Sequence, residues 1–444
     1  MRLYSKAGLP IPLLAIVVAL AAGSGSSAEN EPAAKPPAAA PAQVAMVEVE
    51  GPGAAYWPRW RGPSGQGHVA GSGYPDSWSA VGPETENVLW KVKVPGRGNS
   101  SPIVWEDRIF LTTAREDGKR RSVLCYRRAD GRFLWETFAP NADPEDAHPK
   151  NTRASSTPVT DGERVYAYFG NHGLMAVDFA GKRLWHVPMG PFTAFHGIAS
   201  SPLLHRGKVI VMQDHGGDSF IAAFDAATGR ELWRTERPTK VGWNTPVAIE
   251  VGGREEIVAS GQHQVIAYDP ATGRELWSAR GNTYEAIPTP VVGHDLVFVS
   301  SGRGGPTLAI RPGGKGDVTE SHVVWKAPQG SPFVPSPIVY GDQLYMVNDM
   351  AAVATSYRAA TGELLWQGRL GSARREGFSA SPVAVGGKVF FTNDDGETFV
   401  LEAGPEFELV RVNRLGERTL ASPALVDGRW YFRTEGHLVA IGAG

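Results

Sequence analysis

Ala223-Phe224-Asp225-Ala226-Ala227-Thr228-Gly229-Arg230-Glu231-Leu232-Trp233 returns 44 residues later as Ala267-Tyr268-Asp269-Pro270-Ala271-Thr272-Gly273-Arg274-Glu275-Leu276-Trp277. In each copy an apolar pair enters an Asp-x-x-Thr-Gly turn and a short run ending in Trp leaves it. The Asp can accept from backbone N–H groups, the Gly can take positive φ, and the Trp can cover the face of a neighbouring sheet. A second signal has the same spacing: Ser101-Pro102, Thr157-Pro158, Ser201-Pro202, Thr245-Pro246, Thr289-Pro290, Ser336-Pro337, Ser381-Pro382 and Ser422-Pro423. The prolines are 56, 44, 44, 44, 47, 45 and 41 residues apart, so one long interval precedes a regular period.

Within each copy a turn separates two β-rich runs, as in Val159-Thr160-Asp161-Gly162-Glu163-Arg164-Val165-Tyr166 or Ala384-Val385-Gly386-Gly387-Lys388-Val389-Phe390-Phe391, which reads as a hairpin. A third run and an outer Trp-bearing strand complete a unit of the length of a four-stranded propeller blade. The repeat tryptophans are Trp90, Trp135, Trp185, Trp233, Trp277, Trp325 and Trp366, and the first precedes the first Ser-Pro strand. The last copy, from Ser422 to Gly444, has room for only three strands. A ring can complete it with Asn87-Val88-Leu89-Trp90-Lys91. The reading is therefore an all-β, eight-bladed β-propeller of four-stranded antiparallel blades whose N-terminal strand completes the last blade. The seventh copy has Leu409-Val410 where Trp is expected, which predicts a weaker outer contact.

Composition agrees. The 444 residues include 53 Gly and 34 Pro, suited to many turns, and the 42% hydrophobic and 20% charged residues are ordinary for a globular chain. Lys and Arg number 44 against 46 Asp and Glu, so there is no basic footprint for nucleic acid or an anionic membrane. The single cysteine, Cys125, excludes an intramolecular disulfide and zinc sites of several thiolates; it is expected as a packed thiol in a strand over Ser122–Arg127. Two early positive charges, the apolar run Ile11–Ala22 and the small residues Ser26-Ser27-Ala28 read as a signal peptide over 1–28. Residues 29–55 are Ala/Pro-rich and read as an extended linker, 56–86 as a wrapping segment, and 87–444 as the ring. No Cys follows the apolar run. The expectation is an exported monomer, periplasmic or extracellular, without a lipid anchor or a transmembrane helix after cleavage.

The Asp-x-x-Thr-Gly-x-x-x-Trp spacing resembles the tryptophan-docking repeat of the PQQ-like β-propeller family, over about Trp57–Gly444. The family includes quinoprotein alcohol dehydrogenases and the propeller lipoprotein that assists outer-membrane protein assembly. Tyr56-Trp57-Pro58-Arg59-Trp60-Arg61-Gly62-Pro63-Ser64-Gly65-Gln66-Gly67 resembles the segment ahead of the ring in secreted bacterial members. The resemblance implies a binding or scaffold module for an envelope or secreted protein, with a small polar ligand as a further possibility and no cofactor. The alternative it implies is a PQQ- and calcium-dependent quinoprotein oxidoreductase acting on alcohols or sugars, its quinone stacked on a Trp floor. One Cys excludes the adjacent-cysteine disulfide of many such enzymes, and there is no Cys-x-x-Cys-His.

Entering a blade at its inner strand puts the interblade loops and the second-to-third-strand loops on one face. Reading back from each repeat Pro gives a polar rim of Arg97, Arg153, His196, Lys240, Tyr284 with Glu285, Ser331, Glu376, and Arg418 beside Glu417. Arg97, Arg153, His196, Glu285, Trp243 and Asn244 are the cofactor or ligand candidates. Asn348, Asp349, Asn393, Asp394 and Asp395 offer the hard oxygen ligands that calcium prefers. His172, His215, His263 and His437 recur at comparable blade positions, and the loop Met189–Phe195 and Pro332-Phe333-Val334 supply apolar residues suited to a protein contact.

Overall fold

The computed structural model describes residues 43–83, 85–302, 304–372 and 377–443. The expected signal peptide and linker residues 29–42 lie outside them. Each repeat forms an antiparallel sheet, entered at the inner strand. Blade 1 is Ile103–Trp105, Arg108–Arg115, Arg120–Arg127 and Phe133–Phe138. Blades 2 to 7 follow over 159–187, 203–236, 247–280, 291–327, 338–369 and 383–414. Blade 8 is Ala424–Val426, Arg429–Arg433 and His437–Ile441, completed by Val88–Lys93 antiparallel to His437–Ile441. The ring closes as the repeat arithmetic requires.

From the second Ser/Thr-Pro pair to the eighth, the hydroxyl ties its blade to the one before it. Ser101 N donates to Thr157 Oγ1 (2.9 Å), Thr157 N to Ser201 Oγ (3.0 Å), Ser201 N to Thr245 Oγ1 (3.0 Å) and Thr245 N to Thr289 Oγ1 (2.9 Å). The series runs on through Ser336, Ser381 and Ser422, each link at 2.9 Å. Proline then starts the inner strand, where its missing N–H is tolerated because that edge faces the channel. Each bond contributes about 1 kcal/mol net.

The tryptophans bind the blades at their outer rim. Nε1 of Trp135, Trp185, Trp233, Trp325 and Trp366 donates to a turn carbonyl of the next blade at 2.9–3.1 Å. The turn glycine lies against the indole. Gly229 has φ +74°, and a Cβ there would sit 2.7 Å from Trp185. Trp90 covers Gly131 of blade 1 in the same way. Trp277 differs: its Nε1 donates to Glu256 Oε2 (2.7 Å) within its own blade, because a longer connection in blade 5 places Gly316–Asp317 parallel to the Trp277 strand.

Blade 7 does lack its Trp, and Leu409 and Val412 are exposed, but the junction is not left thin. Trp78 from the wrapping segment fills it, buried against Phe390, Trp430 and Phe432. Asn413 holds the segment by accepting from Trp78 N (3.2 Å) and donating to the Asp76 carbonyl (2.8 Å).

The linker reading needs correction over 43–55. Val44–Met46 forms a strand antiparallel to blade 4, with Val44 and Met46 buried, and Gly51–Ala55 is a 3-10 turn. The Ala/Pro composition stops at Pro41, and the alternation that follows suits an edge strand. The segment then crosses the lower end of the channel. Trp57 pairs with Val104 of blade 1, Gln66 Oε1 accepts from Val292 N of blade 5 (2.7 Å), and Arg61 Nη2 donates to the Pro337 carbonyl of blade 6 (2.9 Å). Cys125 is buried, and desolvation pushes its thiol up to about 12. Replacing Trp78 by Ala is expected to cost about 3–5 kcal/mol in urea denaturation, and Gly229→Ala should destabilise through both its φ and its contact with Trp185. A Trp78→Ala loss below about 1 kcal/mol would mean that blades 7 and 8 hold without the wrapping segment.

Candidate functional site

The upper mouth of the channel opens into a cavity of about 400 Å³ lined only by interblade loops. Trp243, Ile287, Phe333, Val334 and Leu420 form its apolar wall, and His148, Lys150, His196 and Glu285 its polar groups. Trp243 also lines the narrower axial channel beneath, of about 130 Å³, which continues through the Ser/Thr belt to Trp60 of the wrapping segment.

One wall comes from the insertion that lengthens the first repeat interval. Glu145 is buried and accepts from Arg121 Nη1 and Nη2 at 2.8 Å each, anchoring the insertion to blade 1. Asn151 Nδ2 donates to the carbonyls of His196 (3.0 Å) and Ile198 (3.2 Å), stitching it to the blade 2–3 loop. Lys150 Nζ lies 2.9 Å from Asp394 Oδ2 of blade 7. The rings of Phe195, His196 and Trp243 form a row, with centroids 4.5 and 5.9 Å apart, and His148 meets His196 edge-on at 5.2 Å. Trp243 Nε1 donates to the Gly197 carbonyl (2.8 Å), which fixes the indole.

Of the six ligand candidates, Trp243, His196 and Glu285 line this cavity, and Arg97 lines a side pocket next to it. Asn244 and Arg153 do not. Asn244 is buried; it accepts from Ser260 N (3.1 Å) and donates to the Ser260 carbonyl (2.9 Å), joining neighbouring chain segments. Arg153 turns away, its Nε on the Glu145 carbonyl (3.0 Å) and its stem over Gly118. Glu376 lies outside the described residues. The long first interval marks Asp146-Ala147-His148-Pro149-Lys150 as an inserted loop that shapes one rim, and His148 and Lys150 do line the cavity; Asn151 lies outside that reading.

The calcium candidates Asn348 and Asn393 are engaged in their own loops, and Asp349 and Asp394 with neighbouring ones. Asn348 Oδ1 accepts from Met350 N and Ala351 N, Asn393 Oδ1 from Asp395 N and Glu397 N, and Asp394 faces Lys150. Asp349 is buried, with Oδ1 accepting from Phe333 N (2.8 Å). Among the described residues no three His, Cys, Asp or Glu side chains gather to hold a metal ion. The histidines are likewise tied locally: His172 Nε2 to the Lys119 carbonyl, and His437 Nδ1 to Glu417. A calcium ion needs six to eight oxygens, whereas among the described residues Glu285 is the single carboxylate lining the cavity. The described residues do not fit a calcium–quinone centre.

Phe333 and Val334 line the cavity, and Phe192 is half-buried against His215 and Phe220. Of the aromatic residues in these loops Phe195 stands out, 79% exposed.

The profile of the family described as outer membrane protein assembly factor BamB matches residues 17–217 and 192–356. The chain belongs to this PQQ-like propeller family. A BamB of Burkholderia pseudomallei is 26% identical over 218 residues, 45% of this chain and 54% of that relative, so the match spans about half of the relative's length. The structure of BamB from Moraxella catarrhalis aligns at TM-score 0.58 and 15% identity, over 80% of this chain and 97% of that one. A quinohemoprotein alcohol dehydrogenase from Comamonas testosteroni aligns at 0.56 and 13%, over 80% of this chain and 77% of that one. At such identity these two likenesses show the fold alone. Among the described residues no helix is long and apolar enough to cross a membrane.

Burial lifts the Asp349 carboxyl to about 6, against the pull of the Phe333 N–H. A carboxyl raised on folding binds its proton more tightly in the native state, so its ionisation weakens the fold as pH rises from about 4 through 6. Asp349→Asn is expected to be more stable than the parent at pH 7.5, by on the order of 2 kcal/mol. The difference should close by pH 4 in urea denaturation; a pH-independent difference would assign the effect to packing.

Proposed function

We propose that this chain is exported and serves in the cell envelope as a binding or scaffold module that holds a protein partner against its upper loop face. The observation that carries the reading is the asymmetry of the channel. Trp60 and the wrapping segment lie across one end, while the other opens into a rigid, mostly apolar cavity with Phe195 exposed at its rim. An exposed aromatic beside a pre-formed cavity suits an interface anchor. The family description, outer membrane protein assembly factor, supports the same reading. The signal-like start supports export.

A photo-crosslinking residue placed at Phe195 is expected to give discrete adducts with envelope proteins in cells. The same residue at Asp342, on an inner hairpin turn of the opposite face, is expected to give none. Equal labelling from both positions, or none from Phe195, would count against the upper face. Titration of the mature chain with pyrroloquinoline quinone, with and without Ca²⁺, is expected to show no saturable absorbance change. Stoichiometric binding with alcohol-dependent dye reduction would establish the oxidoreductase reading instead.

A further inference from the structure

Beside the main cavity, at the junction of blades 8 and 1, lies a side pocket of about 20 Å³ whose lining includes Arg97, Arg418 and Arg433. Asn99, Lys150 and Leu420 border both spaces, so the pocket adjoins the cavity. Its volume holds one or two water-sized groups.

Arg433 is 1% exposed and has no acidic partner among the described residues. Its Nη1 donates to Ser100 Oγ (2.7 Å) and the Thr112 carbonyl (2.6 Å), while its buried Nε finds no hydrogen-bond partner. Nη2 lies where a Cβ on Gly98 would stand 2.2 Å away, so Gly98 leaves room for the guanidinium. Burial lowers Arg433 to about 10, the expected response of a desolvated cation without a counter-charge. The other deeply buried arginines of the blades differ, Arg121 being paired with Glu145 and Arg237 with Asp214; Arg61 of the wrapping segment is also buried on carbonyls alone, but it lies at the opposite end of the channel. Around the pocket, Arg97 and Arg418 form no ion pair among the described residues, Lys150 is offset by Asp394, and Glu435 is the one carboxylate in the lining. Three arginines therefore face one acid in a space adjoining an apolar cavity.

We infer that the upper mouth binds a small apolar carboxylic acid, its carboxylate in the side pocket among Arg433, Arg97 and Arg418 and its apolar body in the cavity against Trp243, Ile287 and Leu420. Guanidinium groups match a carboxylate through charge-assisted hydrogen bonds, and a cavity of this size accepts a monocyclic or short aliphatic tail. The inference shares with the proposed function only the choice of face, and it is tested without any protein partner.

The probe is 3-phenylpropanoate, titrated calorimetrically into the mature chain at low salt and compared with 3-phenylpropanamide, acetate and sulfate. Saturable binding of the phenylpropanoate is expected, with the amide and acetate each at least tenfold weaker and affinity falling as salt is raised. Arg433→Met should abolish it. Because Arg433 also joins blade 8 to blade 1, the exposed pair Arg97→Ala/Arg418→Ala provides a second variant, expected to lose at least tenfold with an unchanged melting transition. Equal affinity for acid and amide, sulfate binding without phenylpropanoate binding, or undiminished affinity in the Arg97→Ala/Arg418→Ala protein would each overturn the assignment. A Phe195 crosslink that persists alongside such a result would leave the partner-binding reading standing.

Discussion

From Thr157 to Ser422, the hydroxyl of each Ser/Thr-Pro pair accepts the backbone N–H of the hydroxyl residue one blade earlier, and these seven bonds run around the channel at 2.9–3.0 Å. Each bond sets the height of one inner strand relative to the next. With all inner strands starting level, the residues just before them must converge on the same mouth. This is why Asn99, Ser155, Ala199, Trp243, Ile287 and Leu420, from different blades, line one cavity. The belt stops where copy eight meets copy one. There Arg433 bonds to Ser100 and Thr112 across the junction, and Val88–Lys93 completes the sheet. The first ring strand and the last three share one blade, which closes the ring.

The wrapping segment makes the two ends of the channel unequal. Its Trp78 supplies the aromatic mass that the seventh repeat lacks, while its Trp57–Gly67 run bridges blades 1, 5 and 6 across the lower end. A segment that repairs a weak junction and covers one opening leaves the other as the place for recognition. On that side the insertion held by Arg121–Glu145 and by Lys150–Asp394 narrows the mouth. Two ion pairs, one wholly buried and one partly, make this wall a fixed surface rather than a loose loop, which lowers the ordering cost of binding.

The blade count, the closing strand and the Trp docking were legible because each follows from a local pattern repeated at constant spacing. The turn glycine that packs on an indole follows it by about one repeat, 46, 44, 40 and 37 residues after Trp135, Trp185, Trp233 and Trp325, so one contact implies the others. Trp78 was not legible as the missing seventh indole, because it sits outside the period and reaches blade 7 only through the folded path of 56–86. The same limit applies to the site. Trp243, His196 and Glu285 could be placed near the mouth from their distance to the repeat proline, yet Asn244, one residue from Trp243, points into the wall. Side-chain direction alternates along an extended segment, so a count to the nearest repeat mark finds a loop but not a facing side chain. Asn348, Asn393 and Asp394 were read as ion ligands on residue type alone, although such residues in a tight turn more often serve that turn's own N–H groups, as Asn348 and Asn393 do here.

The buried arginines separate what the ring needs from what it does not. Removing a guanidinium from water costs several kcal/mol unless a carboxylate answers it. Arg121 and Arg237 meet that cost with Glu145 and Asp214, and each pair fastens a loop to a blade. Arg433 has carbonyl and hydroxyl partners only. Bridging Ser100 to Thr112 needs no charge, since a neutral donor of similar reach would make the same bonds without the desolvation penalty. Stability alone therefore favours another residue at this position. A cation held there unanswered, with Gly98 giving it room and two more arginines beside it, has the electrostatics of a pre-formed anion site: the penalty is carried by the folded chain, and an entering carboxylate relieves it.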